Sequence, residues 1–129
     1  MLQPTSPLRT NYHIDHAIEL LKYKKSDGII SVCETEFPVQ WCNKLNKEMS
    51  MKNFLSAESA KLRSQDLEKF YRVNGAIYIA SKKSLFKEMS FYLSSSIYAY
   101  EMGKDNSVDI DDIFDFKVAE FLIKNKNSL

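Results

Sequence analysis

The sequence predicts an α/β domain, and three observations carry that expectation. Ile14, Ala17, Ile18 and Leu21 recur with the i, i+3, i+4, i+7 spacing of one helical face. Two short runs rich in β-branched residues, 29–33 and 75–80, have the length and composition of buried strands. Helical and strand-like segments alternate along the chain, which is the order that builds a sheet covered by helices.

Taken in order, Leu2-Gln3 reads as the end of a strand, stopped by the loop Pro4-Thr5-Ser6-Pro7. Two close prolines fix the backbone and oppose helix. Thr10 or Asn11 can cap a first helix running to about Lys24, and Ser26-Asp27-Gly28 signals a turn. The run 29–33 follows as a strand. From 34 to 72 periodicity is weak, and Phe37, Trp41, Met49, Met51, Phe54 and Leu55 are scattered among polar residues. This stretch reads as an arm that packs on another surface. Strand 75–80 comes next, then a short helix over 82–88 capped by Ser81. A strand at 96–102, a turn at 103–106 and a last helix from near Asp111 to about Asn125 complete the order.

With 129 residues the chain makes one domain, and 44% hydrophobic with 27% charged residues is ordinary for a globular protein. A net charge of +1 gives no broad field to attract nucleic acid or an acidic membrane. No apolar run is long enough to span a bilayer, and the N-terminus lacks a signal-peptide pattern, so a cytoplasmic location is expected. Cys33 and Cys42 form no C-x-x-C pair. Free thiols fit that compartment, and a disulfide between them is the alternative.

Three motifs point further. They are Leu2-Gln3-Pro4-Thr5-Ser6-Pro7-Leu8-Arg9-Thr10, Tyr71-Arg72-Val73-Asn74-Gly75-Ala76-Ile77-Tyr78-Ile79, and the segment from Ser107-Val108-Asp109-Ile110-Asp111-Asp112 to Ile123. Together they resemble the C-terminal part of the acylneuraminate cytidylyltransferases, the CMP-sialic acid synthetases. The resemblance implies a Rossmann-like, mostly parallel sheet of the nucleotide-diphospho-sugar transferase type. It makes residues 1–129 a partial cytidylyltransferase domain, with 34–72 as a dimerisation insert. The complete enzyme would transfer CMP from CTP to the anomeric hydroxyl of a sialic acid, with Mg²⁺ as cofactor and pyrophosphate as the second product. The family's Gly/Lys/Arg-rich loop for the CTP phosphates precedes the first motif, at which this chain opens. The resemblance therefore implies a homodimer, a possible separate N-terminal half, and no turnover by this chain alone. A non-catalytic remnant or dimerisation module is the competing reading.

Asp109 and Asp111 are the sharpest chemical pair. In an extended stretch both carboxylates would point the same way, and hard oxygen ligands suit Mg²⁺ shared with phosphate. The resemblance makes both of them metal ligands and Asp111 catalytic. The competing reading is that Ser107, Asp109 and Asp111 simply cap the last helix. Gln3 offers an amide donor and acceptor, and the resemblance places it against the sugar, with Thr5, Ser6 and Arg9 on the same loop. Tyr78, Phe91 and Tyr92 match positions lining the family's sugar pocket, where aromatic faces can cover an acyl methyl group. Core packing is their plain alternative. Arg63, Arg72 and Lys52 are candidates for the sugar carboxylate, which an arginine can grip through two parallel bonds. In relatives such residues reach across the dimer interface. Here Ser64 precedes Gln65-Asp66-Leu67 where the family often has arginine, which displaces Arg63 by one position. Lys52 reads as a solvated charge. His13 and His16 have helical metal spacing but too few companions, and read as structural.

Overall fold

The computed structural model describes residues 1–92 and 96–125. The chain divides into two compact units, one formed by residues 1–33 with 73–129 and the other by residues 34–72.

The first unit is built on a small sheet. Helix α1 (Asn11–Lys24) starts at Thr10, whose backbone amide donates to Nδ1 of His13 at 3.1 Å in a capping box. It ends at Lys25 in the left-handed region, where Ser26 donates to the Leu21 carbonyl and Lys25 to that of Lys22. That is a Schellman closure made without glycine. Strand β1 (Gly28–Glu34) is the middle strand, between β2 (Tyr71–Ala80) and β3 (Ile97–Glu101). β1 and β3 run parallel, with Gly28 opposite Ile97 and Val32 opposite Glu101. β2 runs antiparallel to β1: Ser81 donates to the Asp27 carbonyl just before β1, while Ser31, further along β1, bonds Ile77. The sheet is therefore mixed, and the expected parallel arrangement holds for the β1–β3 pair.

Successive β1 side chains face opposite sides. Ile29 joins Ala17, Ala76, Ile77 and Met102 in the buried core, with Ile14, Leu20 and Leu21 of α1 packed against it. Ile30 and Val32, on the other side, line an open groove with Val73, Tyr92 and Tyr98. Cys33 is buried and Cys42 exposed, and both thiols are free. No helix among the described residues is long and apolar enough to cross a membrane.

Several boundaries differ from the sequence expectation. β2 begins at Tyr71, because the exposed Tyr71 and Val73 alternate with less exposed neighbours and extend the strand beyond its apolar run. Helix α2 (Lys82–Glu88) is capped as expected, Ser81 Oγ accepting from the Ser84 amide at 3.2 Å. The turn at 103–106 is one turn of 3₁₀ helix, Lys104–Asn106. Helix α3 (Ile113–Asn125) starts two residues after Asp111. Leu2-Gln3 is not a strand, although the segment does pair with the sheet: Met1 donates to the Tyr78 carbonyl and accepts from the Tyr78 amide.

The second unit contains three single 3₁₀ turns, Val39–Trp41, Ser59–Lys61 and Ser64–Asp66. None of its residues is buried. Cross-links between side chains and backbone hold it instead: Trp41 Nε1 donates to the Ser59 carbonyl, Asn43 to Phe54 and Gln40 to Glu68. Phe37, Leu45, Met49, Met51 and Leu62 remain exposed on it.

Candidate functional site

The site in the first unit grows from one glycine. Gly75, inside β2, has φ of +75°, a left-handed conformation that costs an ordinary side chain. Oε1 of Gln3 lies where a Cβ on Gly75 would have to go, and Oδ2 of Asp109 would be 3.4 Å from that Cβ. The bare backbone at 75 thus lets the first and third motifs meet on β2. Arg9 holds the first motif there, its guanidinium donating to the Gln3 carbonyl at 3.1 Å and the Ala76 carbonyl at 2.7 Å. The third motif is tied to the first by the Ile110 amide, which donates to the Thr5 carbonyl at 2.9 Å.

Asp109 and Asp111 occupy different settings. Residues 107–110 form no regular strand. Asp109 is half-buried, and its Oδ1 is enclosed with no hydrogen-bond partner among the described residues. Asp111 is exposed. Neither caps α3. Oδ1 of Asp112 accepts from the amides of Phe114 and Asp115, while Oδ2 of Asp115 accepts from those of Asp111 and Asp112. The capping function that the sequence offered to Ser107, Asp109 and Asp111 therefore belongs to Asp112 and Asp115. Asp109 offers an enclosed, unpartnered carboxylate oxygen and Asp111, two residues on, an exposed carboxylate; oxygen donors of this kind suit a hard cation. No group of three or more possible metal-binding side chains occurs among the described residues, so such a cation would need further ligands from water or substrate.

Tyr78 continues β2 beyond Gly75. Its ring meets those of Phe91 and Tyr92 edge-on, with centroids 5.9 and 6.2 Å away. Burial, then a hydrogen bond with Tyr92, then the charges of Tyr92 and Asp109 push the Tyr78 phenol up to about 12. It stays a neutral donor at physiological pH. Tyr92 is 63% exposed. Beside this cluster runs an apolar groove of about 370 Å³ lined by Met1, Ile14, Ile77, Ile79, Leu85 and Phe91, among others.

Of the candidates read from sequence, Gln3, Tyr78, Phe91, Tyr92 and Asp109 fall in this unit around β2, with Asp111 two residues beyond. Ser6 is buried there, its hydroxyl unpartnered among the described residues. Arg63 and Arg72 fall in the second unit, where each grips a carboxylate. Arg63 contacts both oxygens of Asp66, at 2.8 and 3.3 Å, and Arg72 those of Glu36, at 2.9 and 3.4 Å. Lys52 is exposed. His13 caps α1, and His16 packs against the Tyr12 ring.

Sequence reasoning missed Asn74 and Ser31 and offered Ser107 only as a helix cap. All three are buried and hydrogen-bonded to one another through Asn74. The available signal was a carboxamide placed in an otherwise apolar strand run, directly before a glycine.

No protein-family model matches the chain. Individual proteins do. The N-acylneuraminate cytidylyltransferase of Streptococcus agalactiae serotype V is 37% identical over 116 residues, 90% of this chain and 28% of that protein. The enzyme of the same name from Escherichia coli O18:K1:H7 is 34% identical over 98% of this chain and 30% of its own length. The CMP-N,N'-diacetyllegionaminic acid synthase of Legionella pneumophila is 32% identical over 96% of this chain and 53% of its own. The chain thus spans under a third of the first two proteins and about half of the third.

Proposed function

We propose that this chain, which belongs by sequence with the N-acylneuraminate cytidylyltransferases, is the sugar- and metal-binding segment of such an enzyme. The complete protein would join CTP and a nine-carbon acid of the sialic type, releasing pyrophosphate. The observation that carries the reading is that Asp112 and Asp115 cap α3, which leaves Asp109 and Asp111 for chemistry.

Asp109 and Asp111 would hold Mg²⁺, which when bound offsets triphosphate charge and lowers the pKa of a coordinated hydroxyl. The remaining functions fall to the chain's own groups. Arg9 holds the Gln3 backbone carbonyl, and the Gln3 side-chain amide would be a donor and acceptor for the acylamido sugar. Tyr78, kept neutral, donates a hydrogen bond without introducing charge. Phe91 and Tyr92 cover the apolar side of the sugar. The second unit, with exposed apolar side chains and no buried residue, would form a homodimer interface that buries them. Arg63 and Arg72 are its candidates for the sugar carboxylate.

The test assays the chain with CTP, N-acetylneuraminic acid and Mg²⁺, alone and fused behind the region preceding the matched part of the Escherichia coli relative. CMP-sugar should form with the fusion only. A folded fusion that binds neither substrate would favour the other reading, a non-catalytic dimerisation module.

A further inference from the structure

We infer that Asn74 is a positioning residue for Asp109, acting through Ser107. The inference rests on the metal reading above for its functional meaning, and on the hydrogen-bond network for its geometry. Asn74 is 1% exposed, and Ser31 and Ser107 are fully enclosed. Its Oδ1 accepts from Ser31 Oγ at 2.6 Å and from the Ala76 amide at 3.2 Å. Those two bonds fix the carboxamide relative to β1 and β2, since Ser31 Oγ also accepts from the Ile77 amide at 2.7 Å. That orientation fixes Nδ2, which donates to Ser107 Oγ at 2.9 Å and to Met102 Sδ at 3.5 Å. Ser107 in turn donates to the Gly103 carbonyl at 2.7 Å.

Ser107 stands two residues before Asp109, and Gly75, the neighbour of Asn74, stands against Oδ2 of Asp109. The chain leaves the network at Ser107 and returns to the first motif at Ile110, whose amide is bonded to Thr5. Asp109 is therefore clamped between two anchors, and Asn74 sets the inner one. An apolar side chain at 74 would fill the core but would leave Ser107 and the following carboxylate without a fixed register. Partly satisfied buried polar networks are costly, so removing one member should be felt by the rest.

Ser107→Ala in the chain tests this, with Ile29→Val as a control that weakens the core without touching the network. Two readouts apply: hydrogen exchange of the Ile110 amide, and Mn²⁺ binding followed by electron paramagnetic resonance. Loss of a buried hydrogen bond predicts Ile110 exchange and the Mn²⁺ dissociation constant each rising about fivefold to tenfold, with neither moved by Ile29→Val. Asn74→Leu is the second variant. It fills nearly the same volume but cannot donate to Ser107, and it should behave likewise. Unchanged Ile110 exchange in both variants overturns the inference. So does loss of folding in both, which would make the network plain core. If the parent chain binds Mn²⁺ no better than Asp109→Asn, the metal reading fails by itself, and Ile110 exchange still decides the role of Asn74.

Discussion

Asp112 and Asp115 cap each other's backbone: Oδ1 of Asp112 accepts the Asp115 amide at 3.0 Å, and Oδ2 of Asp115 accepts the Asp112 amide at 3.2 Å. Two carboxylates at the start of one helix complement its dipole as well as its open amides. This reciprocal pair separates the stability of α3 from the chemistry proposed one and three residues upstream.

The separation can be measured. Asp112→Ala should cost about 1 kcal/mol of folding stability by urea denaturation, the typical loss for an N-cap. Asp109→Asn and Asp111→Asn should cost less, because neither carboxylate accepts a capping bond. In a complete enzyme the same two Asn variants should lower Mg²⁺-dependent transfer at least a hundredfold, by removing the negative charge a hard cation needs; about 2.7 kcal/mol of lost transition-state stabilisation gives that factor. Near-normal transfer across a Mg²⁺ titration would remove both from the metal site.

Gly75→Ala should destabilise the fold by about 1–3 kcal/mol, the range for a side chain held in a sparsely populated backbone region. The added methyl must also displace Gln3. Thermal and urea unfolding check the first effect. If the variant is as stable as the parent, β2 does not need a positive φ at this position.

Tyr78 gives a pH-dependent signature. Its folded value of about 12 lies above the ordinary tyrosine value of 10.0. A raised value means that the associated stability is fully present below pH 10 and is lost as pH rises towards 12. Absorbance of ionised tyrosine should show a late transition near pH 12 that belongs to Tyr78 and is lost in Tyr78→Phe. Tyr92→Phe should bring that transition to lower pH, since it removes the hydrogen bond and the neighbouring charge. An unmoved transition in Tyr92→Phe would leave burial and the Asp109 charge as the causes.

The second unit should self-associate. Phe37 and Met49 are 62% and 66% exposed, and a unit without buried residues gains by covering them. Sedimentation should show a dimer that Phe37→Asp with Met49→Asp converts to a monomer. A well-folded monomer of the unaltered chain at high concentration would contradict this.

Local signals in the sequence were read well where they act locally. The helical face of α1 and the Ser81 cap fall where spacing and capping chemistry put them, because both depend on residues within one turn. α3 starts at Ile113, two residues beyond the start near Asp111 that the sequence suggests. The choice among Asp109, Asp111, Asp112 and Asp115 as caps depends on backbone direction, which four similar carboxylates do not disclose. The direction of β2 was also hidden, since an apolar strand has the same composition whichever way it runs. Gln3 and Asp109 were chosen individually through the resemblance, but their meeting at Gly75 follows from long-range pairing that no spacing encodes. Asn74 was passed over because its partners, Ser31 and Ser107, are remote in sequence.

The occupation by Gln3 of the place a side chain at 75 would take has a consequence for how such a site can diversify. Any side chain there would disturb strand geometry, Gln3 and Asp109 together, so no substitution at 75 can retune recognition while sparing the fold. Tyr92 offers the opposite case: exposed and next to Tyr78, it can change with little effect on the core. If the proposed sugar site is right, variation in recognition should accumulate at Tyr92, while position 75 remains closed to it.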